Sequence, residues 1–522
     1  RYGSGTYEGE FLRGKRHGKG KMAYFNGTVY IGEWKAGLYH GFGVITYPEG
    51  KYNGEDCVGR RYEGDFSRGK KSGRGVFVIG NGNSYSGEFK DDLFHGHGTM
   101  SYRNGDVYEG EWVDGLSEGK GEMRYRGGDK YTGEWRGGRF HGQGSITYAI
   151  GGSYTGQFFR GKRQGYGKRV YSSGNAYSGE FHDDYAHGEG TFNFLDGSVY
   201  VGRVERDRFH GNGLLTLANG DKVEGDFRNG VPYGSVRMTY CDGGYYQGEC
   251  KAVTSDRRYR HHKPMPVLNG KRHGYGIRVW VSGARYEGEW LDGRMHGKGV
   301  YFWPNGDCYT GTMRHGLKWG QGRAQFGNSD GMPYVCPLGH RHLGRKPCEY
   351  DGEWQNDEFH GRGKFVCSDG REYSGEWHRG RRHGMGRQSL VPEHQRGDEK
   401  RCHIGGVGAL YRPSAYEGRW DMGERHGPGK LVFADGVSFV GVFYRGHLNG
   451  LGRVVYSDGV EKPAMFKGSQ RERFLEPHEV AALKKQDEDL RRKEGAAAGS
   501  IVSFLRAKRQ GTLRMVGLLG AN

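Results

Sequence analysis

Between Tyr85 and Phe89 the chain alternates: Tyr85, Gly87 and Phe89 fall on one parity, Ser86 and Glu88 on the other. After His95-Gly-His-Gly98 the alternation resumes, with Gly98, Met100 and Tyr102 sharing a parity, as Gly144, Ile146 and Tyr148 do further on. Period-two alternation marks a strand with one face packed and the other in water, and two such runs joined by a short turn predict a β-hairpin. Helix is excluded by the 101 glycines, each costing about 1 kcal/mol relative to alanine in a helix.

The hairpin recurs. Taking Tyr-x-Gly-Glu-aromatic as the start, 17 repeats begin at Tyr7, Tyr30, Tyr62, Tyr85, Tyr108, Tyr131, Tyr154, Tyr177, Tyr200, Val223, Tyr246, Tyr286, Tyr309, Tyr350, Tyr373, Tyr416 and Phe439. Of the 16 intervals, 12 are 23 residues. The third position is Gly in all 17 repeats and the fifth is Phe or Trp in 14. Repeats of this kind cannot bury their own apolar face and must stack on their neighbours. The predicted architecture is therefore all-β: an elongated, single-layer antiparallel meander, a twisted rod or trough. The expected repeat core is typified by Tyr108, Gly110 and Trp112, by Tyr131, Gly133 and Trp135, and by Tyr286, Gly288 and Trp290.

The glycines have two expected roles. A single layer has nothing to cover its large rings, so a glycine on the ring face leaves a slot into which a neighbouring ring lies flat. Asn26-Gly27, Asn104-Gly105, Asp196-Gly197 and Asp435-Gly436 supply the positive φ that turns the chain into its next hairpin.

Composition adds boundaries. The formal net charge of +18 favours acidic partners, and 8 scattered cysteines point to a reducing, cytoplasmic compartment. No apolar run reaches the length of a membrane span.

Tyr-x-Gly-Glu-Trp-x-x-Gly-x-x-His-Gly-x-Gly, as written from Tyr286 to Gly299, resembles the MORN repeat (membrane occupation and recognition nexus), over about residues 7–460. Val204, Cys250 and Met313 depart from the ring at position five, and Val223 from the tyrosine at position one; looser packing is expected there. The resemblance implies a non-enzymatic array. Such arrays occur in junctional proteins, lipid kinases, proteins with methyltransferase domains, radial-spoke heads of cilia and cytoskeletal scaffolds. A chain that is almost wholly repeat is most similar to the ciliary and cytoskeletal members.

Candidate chemistry is sparse. Gly9–Lys15 and Gly64–Lys70 match the first half of a phosphate-binding loop, but Arg16 and Lys71 stand where Ser or Thr is needed. The 11 histidines of the His-Gly-x-Gly phrase recur without a fixed partner and read as turn-edge residues rather than acid–base groups. The acidic fourth position, as at Glu33, Glu88, Glu111 and Glu134, reads as a solvated or cross-strand charge face. One insertion gathers Cys336, His340, His342 and Cys348, a donor set suited to structural zinc; no other cofactor is expected. The first turns carry Arg13, Lys15 and Arg16; Arg68, Lys70 and Lys71; Arg160, Lys162 and Arg163; and Arg379, Arg381 and Arg382. Together these form a candidate contact edge for an anionic partner. Acidic first turns at Asp91-Asp92, Asp183-Asp184 and Asp357-Glu358 interrupt it.

The expected organisation is an array over 1–460, with insertions at 50–61, 251–270, 328–347 and 391–413, and a helical tail over 461–522 that caps the sheet edge or docks on a partner. Three of the insertions lengthen second turns, which points to a docking edge. The expected function is a scaffold mediating protein–protein interactions in a cytoskeletal assembly, foremost the axoneme of a cilium or flagellum. Self-association is a secondary expectation. A peripheral membrane protein that binds phosphoinositides through the basic turns is the alternative. Nucleic acid is disfavoured because the rings are expected on the packed face.

Overall fold

The computed structural model describes residues 5–495 except 53–54, 57–58, 253–269, 327–333, 336–337, 339–340, 343–347, 368–369 and 391–412. It is almost entirely antiparallel β-structure, with 36 strands assigned to one sheet. Two compact units divide the chain: Arg1–Cys241 with Cys250–Gly270, and Asp242–Glu249 with Lys271–Asn522.

In the first unit each repeat is a hairpin, and each hairpin pairs with the next. Lys130–Arg136 pairs with Arg139–Thr147, which pairs in turn with Ser153–Phe159. The insertion after repeat two carries a small ladder of its own, Lys51–Tyr52 against Glu55–Asp56. The second unit is built the same way, and its sheet extends past residue 460. Glu461–Lys467 and Gln470–Phe474 form one more hairpin, without the repeat signature, before the helix Pro477–Gly495. Proline opens that helix, and the Glu479 carboxylate accepts the Glu476 N–H at 2.9 Å, as in a capping box.

The two turns differ. At the first, Arg13 and Gly14 have φ of 51° and 72°, and Asp91 and Asp92 have 49° and 73°. Positive φ at both central residues gives the type I′ geometry that matches strand twist. At the second turn only the glycine of Asn104-Gly105 is positive, at 90°. Here the Asn104 side chain accepts the Asp106 N–H at 3.0 Å. Asparagine therefore closes the loop by its amide oxygen and glycine alone supplies the left-handed conformation.

The core lies on the ring face. Tyr131 is 0% exposed, and its hydroxyl donates to the Glu134 carbonyl at 2.7 Å. A Cβ at Gly144 would come within 2.6 Å of that ring, and one at Gly133 within 2.5 Å of the Gly144 Cα. The slot is real, but it holds the repeat's own tyrosine. The tryptophan at position five reaches backwards: the Trp135 indole N–H donates to the Gly121 carbonyl of the preceding repeat at 3.2 Å. Its ring meets Tyr108 edge to face, with centroids 4.8 Å apart. Val204, Val223, Cys250 and Met313 are all buried in the same positions.

A register shift inside each hairpin completes the unit. Gly133 pairs with Gly144, yet Glu134 pairs with His141, so Gly142 and Gln143 bulge out on that side. Gly142 has φ +52° there.

Candidate interaction surfaces

Position four, read as a charge face, closes that bulge. The Glu134 carboxylate accepts the Gln143 N–H at 3.0 Å, Glu111 that of Lys120 at 3.0 Å, and Glu353 that of Arg362 at 2.9 Å. Gln157 makes the same bond to Tyr166 at 2.9 Å, so the acceptor oxygen matters more than the charge. A hydrogen bond to a charged group contributes about 1.5–3 kcal/mol. Sequence reading missed this because the bond forms only once two residues are looped out.

The twelve basic turn residues separate into three groups. Arg16, Lys71, Arg163 and Arg382 occupy position ten, on the ring face. Arg16 lies 4.2 Å from the Trp34 ring centroid and donates to the Gly37 carbonyl at 3.1 Å. Arg382 lies 4.2 Å from Trp420 and donates to the Gly423 carbonyl at 2.8 Å. Lys71 is 3.1 Å from Asp92 and Arg163 is 3.1 Å from Asp184. In five other repeats position ten is a ring (Tyr39, Phe94, Phe140, Phe209 and Phe359), and Tyr131 stacks on Phe140 with centroids 3.8 Å apart. These cations are thus interior substitutes for an aromatic ring, held by cation–π attraction. In the second group, Lys70 and Lys162 pair with Asp91 and Asp183 at 3.3 and 3.0 Å. The remaining six, Arg13, Lys15, Arg68, Arg160, Arg379 and Arg381, are exposed at the turns of repeats one, three, seven and fifteen. Acidic turns therefore oppose the neighbouring basic ones, and no continuous positive edge results from these positions.

The other candidates fare as follows. Gly9–Lys15 is a strand running into a type I′ turn, with no helix to hold a phosphate. The histidines pack on the following turn, His141 against Phe159 with ring centroids 5.3 Å apart. Of the zinc candidates, Cys336 and His340 lie outside the described residues. His342 belongs to the short ladder with Tyr334, and Cys348 is buried opposite Phe326. Most of the insertions at 251–270, 328–347 and 391–413 lies outside the described residues.

Not every ring faces the packed side. Phe42 and Tyr166 in the first unit, and Tyr275 and Met385 in the second, lie in the position-thirteen row of their own unit, between the two glycines of the His-Gly-x-Gly phrase; they stand opposite the packed face and are 52%, 65%, 53% and 54% exposed. A shallow groove crosses this open face over repeats two to five, lined by Phe42, Glu63, Arg74, Val76, Glu88 and His97. Parity locates the row: position thirteen is opposite in phase to the buried glycine at fourteen. Among the described residues no helix is long and apolar enough to cross a membrane.

Burial pushes the position-one phenols up from their ordinary pKa. Tyr154 is raised to about 12, chiefly by desolvation, with Arg163 opposing.

Among curated protein sequences nothing matches the chain. Solved structures give low-scoring similarities. The TCP domain of SAS-4 (dCPAP) from Drosophila melanogaster, in complex with a proline-rich motif of Ana2, is 17% identical. That match covers 29% of this chain and 81% of that one, with a TM-score of 0.20. The TCP10 domain of Danio rerio CPAP, in complex with a STIL peptide, is 9% identical over 54% of this chain and 94% of that one, with a TM-score of 0.17. The model of the MORN repeat matches from 7–29 to 439–461 in sixteen segments, the nine from 7–29 to 200–222 and the seven from 267–285 to 439–461. Repeat ten is outside them. With more than half of its residues in those segments, the chain belongs to the MORN-repeat family.

Proposed function

We propose that this chain is a non-enzymatic structural scaffold holding together proteins of a cytoskeletal assembly, and that the assembly is the axoneme of a cilium or flagellum, at or near its radial spokes. The observation that carries the scaffold reading is the division of labour between the two faces. The ring face is consumed by packing of the array on itself, while the open face presents Phe42 and Tyr166 in the first unit and Tyr275 and Met385 in the second, each half-exposed at position thirteen. Exposed rings on a rigid surface suit anchoring contacts with protein partners. The axonemal assignment rests on the similarity of a chain made almost wholly of MORN repeats to the ciliary members of the family.

Internal use of Arg16, Lys71, Arg163 and Arg382 disfavours the phosphoinositide alternative. The test has two arms. Tagged full-length protein should localise to the axoneme and cross-link to its components; localisation elsewhere rejects the axonemal assignment. In co-sedimentation with phosphoinositide vesicles at physiological salt it should stay in the supernatant, and pelleting that is lost on replacing Arg13, Arg68, Arg160 and Arg379 would establish the membrane reading instead.

A further inference from the structure

Position eleven is usually a lone histidine resting on the next turn, but in repeats eight and nine imidazoles and carboxylates run together. His182 ends the strand Ala176–His182 and faces His187 across the hairpin, with ring centroids 5.7 Å apart. His187 stands opposite Glu205, one residue beyond the paired Gly188 and Val204. Glu205 in turn lies 3.5 Å from His210 Nε2. Asp183 Oδ2 is 3.7 Å from His182 Nδ1. All five residues belong to the first unit and none is buried.

We propose that this edge binds a divalent transition cation of the zinc class, with His182 and His187 as nitrogen ligands and Glu205 as the oxygen ligand. Imidazole with carboxylate is a donor set for Zn²⁺ and its neighbours in the series rather than for Ca²⁺ or Mg²⁺. Metal–nitrogen bonds of about 2.0–2.1 Å put the centroids of two rings on one ion roughly 5–6 Å apart, which is the spacing of His182 and His187. Among the described residues no three such donors already converge on a point. The third bond therefore needs a side-chain rotation. The Glu205 side chain, 50% exposed, exchanges its contact with His210 for that bond.

A second column of imidazoles resembles this edge. His360, His378 and His383 also form a column, with centroids 5.2 and 5.6 Å apart. There Arg379 and Arg381 flank the rings, as Arg206 and Arg208 flank this edge, and His383 faces Asp421 at 3.5 Å. Around His182 and His187 the cations are Lys162, held 3.0 Å from Asp183, and Arg206 and Arg208 on the turn of repeat nine.

The test is a titration of the chelator-washed full chain with Zn²⁺ alone, at pH 7.4, by equilibrium dialysis. His187→Gln and His182→Gln should each lose one equivalent relative to the parent, while Glu205→Gln should weaken that equivalent by about tenfold. His141→Gln in repeat six, whose neighbour is Phe159, is the control and should bind as the parent does. Unchanged thermal midpoints confirm that these exposed substitutions leave the fold intact. If His182→Gln and His187→Gln retain the parent's zinc stoichiometry and affinity, the site does not exist, whatever metal the Cys336 segment holds.

Discussion

Repeats six and ten are built on the same hairpin and fill it differently. In repeat six the Tyr131 ring lies over Gly144, where a Cβ would meet it at 2.6 Å. In repeat ten valine replaces the tyrosine, at Val223, and valine also replaces the glycine, at Val236; both are buried, 2% and 3% exposed. The pairing persists, with Gly225 opposite Val236. The glycine at position fourteen is therefore a matter of space, not of backbone conformation. Where the ring is absent the slot takes a side chain, and where the ring is present it cannot. The glycine at position twelve is the opposite case: Gly142 in repeat six at φ +52° and Gly234 in repeat ten at φ +67° keep a left-handed conformation whatever the ring does.

The largest effect should come from imposing one solution on the other repeat. Gly144→Val puts branched carbons where the Tyr131 ring lies, and should destabilise repeat six by about 3 kcal/mol or more. Hydrogen exchange of repeat six reads this directly, since a repeat array opens locally. Alkali should act next, and selectively. The buried phenols are raised, Tyr154 to about 12, above the ordinary value near 10. Raised acids stabilise the fold below the unfolded pKa, and that stability is lost as pH rises through the folded value. Thermal midpoints should therefore fall steeply between about pH 10 and 12, with exchange protection in repeat ten, which lacks the tyrosine, falling less than in repeat seven.

Much of this fold is legible in the alternation. Tyr131, Gly133 and Trp135 share a parity, and the structure puts all three on the ring face. Position-ten cations were legible too, because Arg16 shares its parity with Gly18 and Gly20, but Arg13, Lys15 and Arg16 lie together in sequence and read as one exposed turn. The bulge was not legible. It inserts an even number of residues, Gly142 and Gln143, so the alternation continues unbroken across it and nothing in the pattern marks where Glu134 acquires its N–H partner. The hairpin Glu461–Phe474 escaped for a related reason: Lys462 and Ala464 stand where tyrosine and glycine would announce a repeat.

Smaller effects sharpen the contrast between ring and bulge. Trp135→Phe keeps a ring but forfeits the indole bond to Gly121, and should cost about 1 kcal/mol, visible as faster exchange at the junction of repeats five and six. Glu134→Gln should change the thermal midpoint least of all, because Gln157 already closes the bulge of repeat seven; Glu134→Val, lacking an acceptor, should be clearly worse than Glu134→Gln in the same measurement.

The central claim is that the tyrosine at position one and the glycine at position fourteen are a single packing unit. A double-mutant cycle on repeat six, comparing Tyr131→Val, Gly144→Val and the two together by hydrogen exchange, measures their coupling. The account predicts that the double variant, which reproduces Val223 and Val236 of repeat ten, is more stable than Gly144→Val alone, with a coupling of about 1–3 kcal/mol. Additivity within about 0.5 kcal/mol would mean that ring and glycine act independently, and would contradict it.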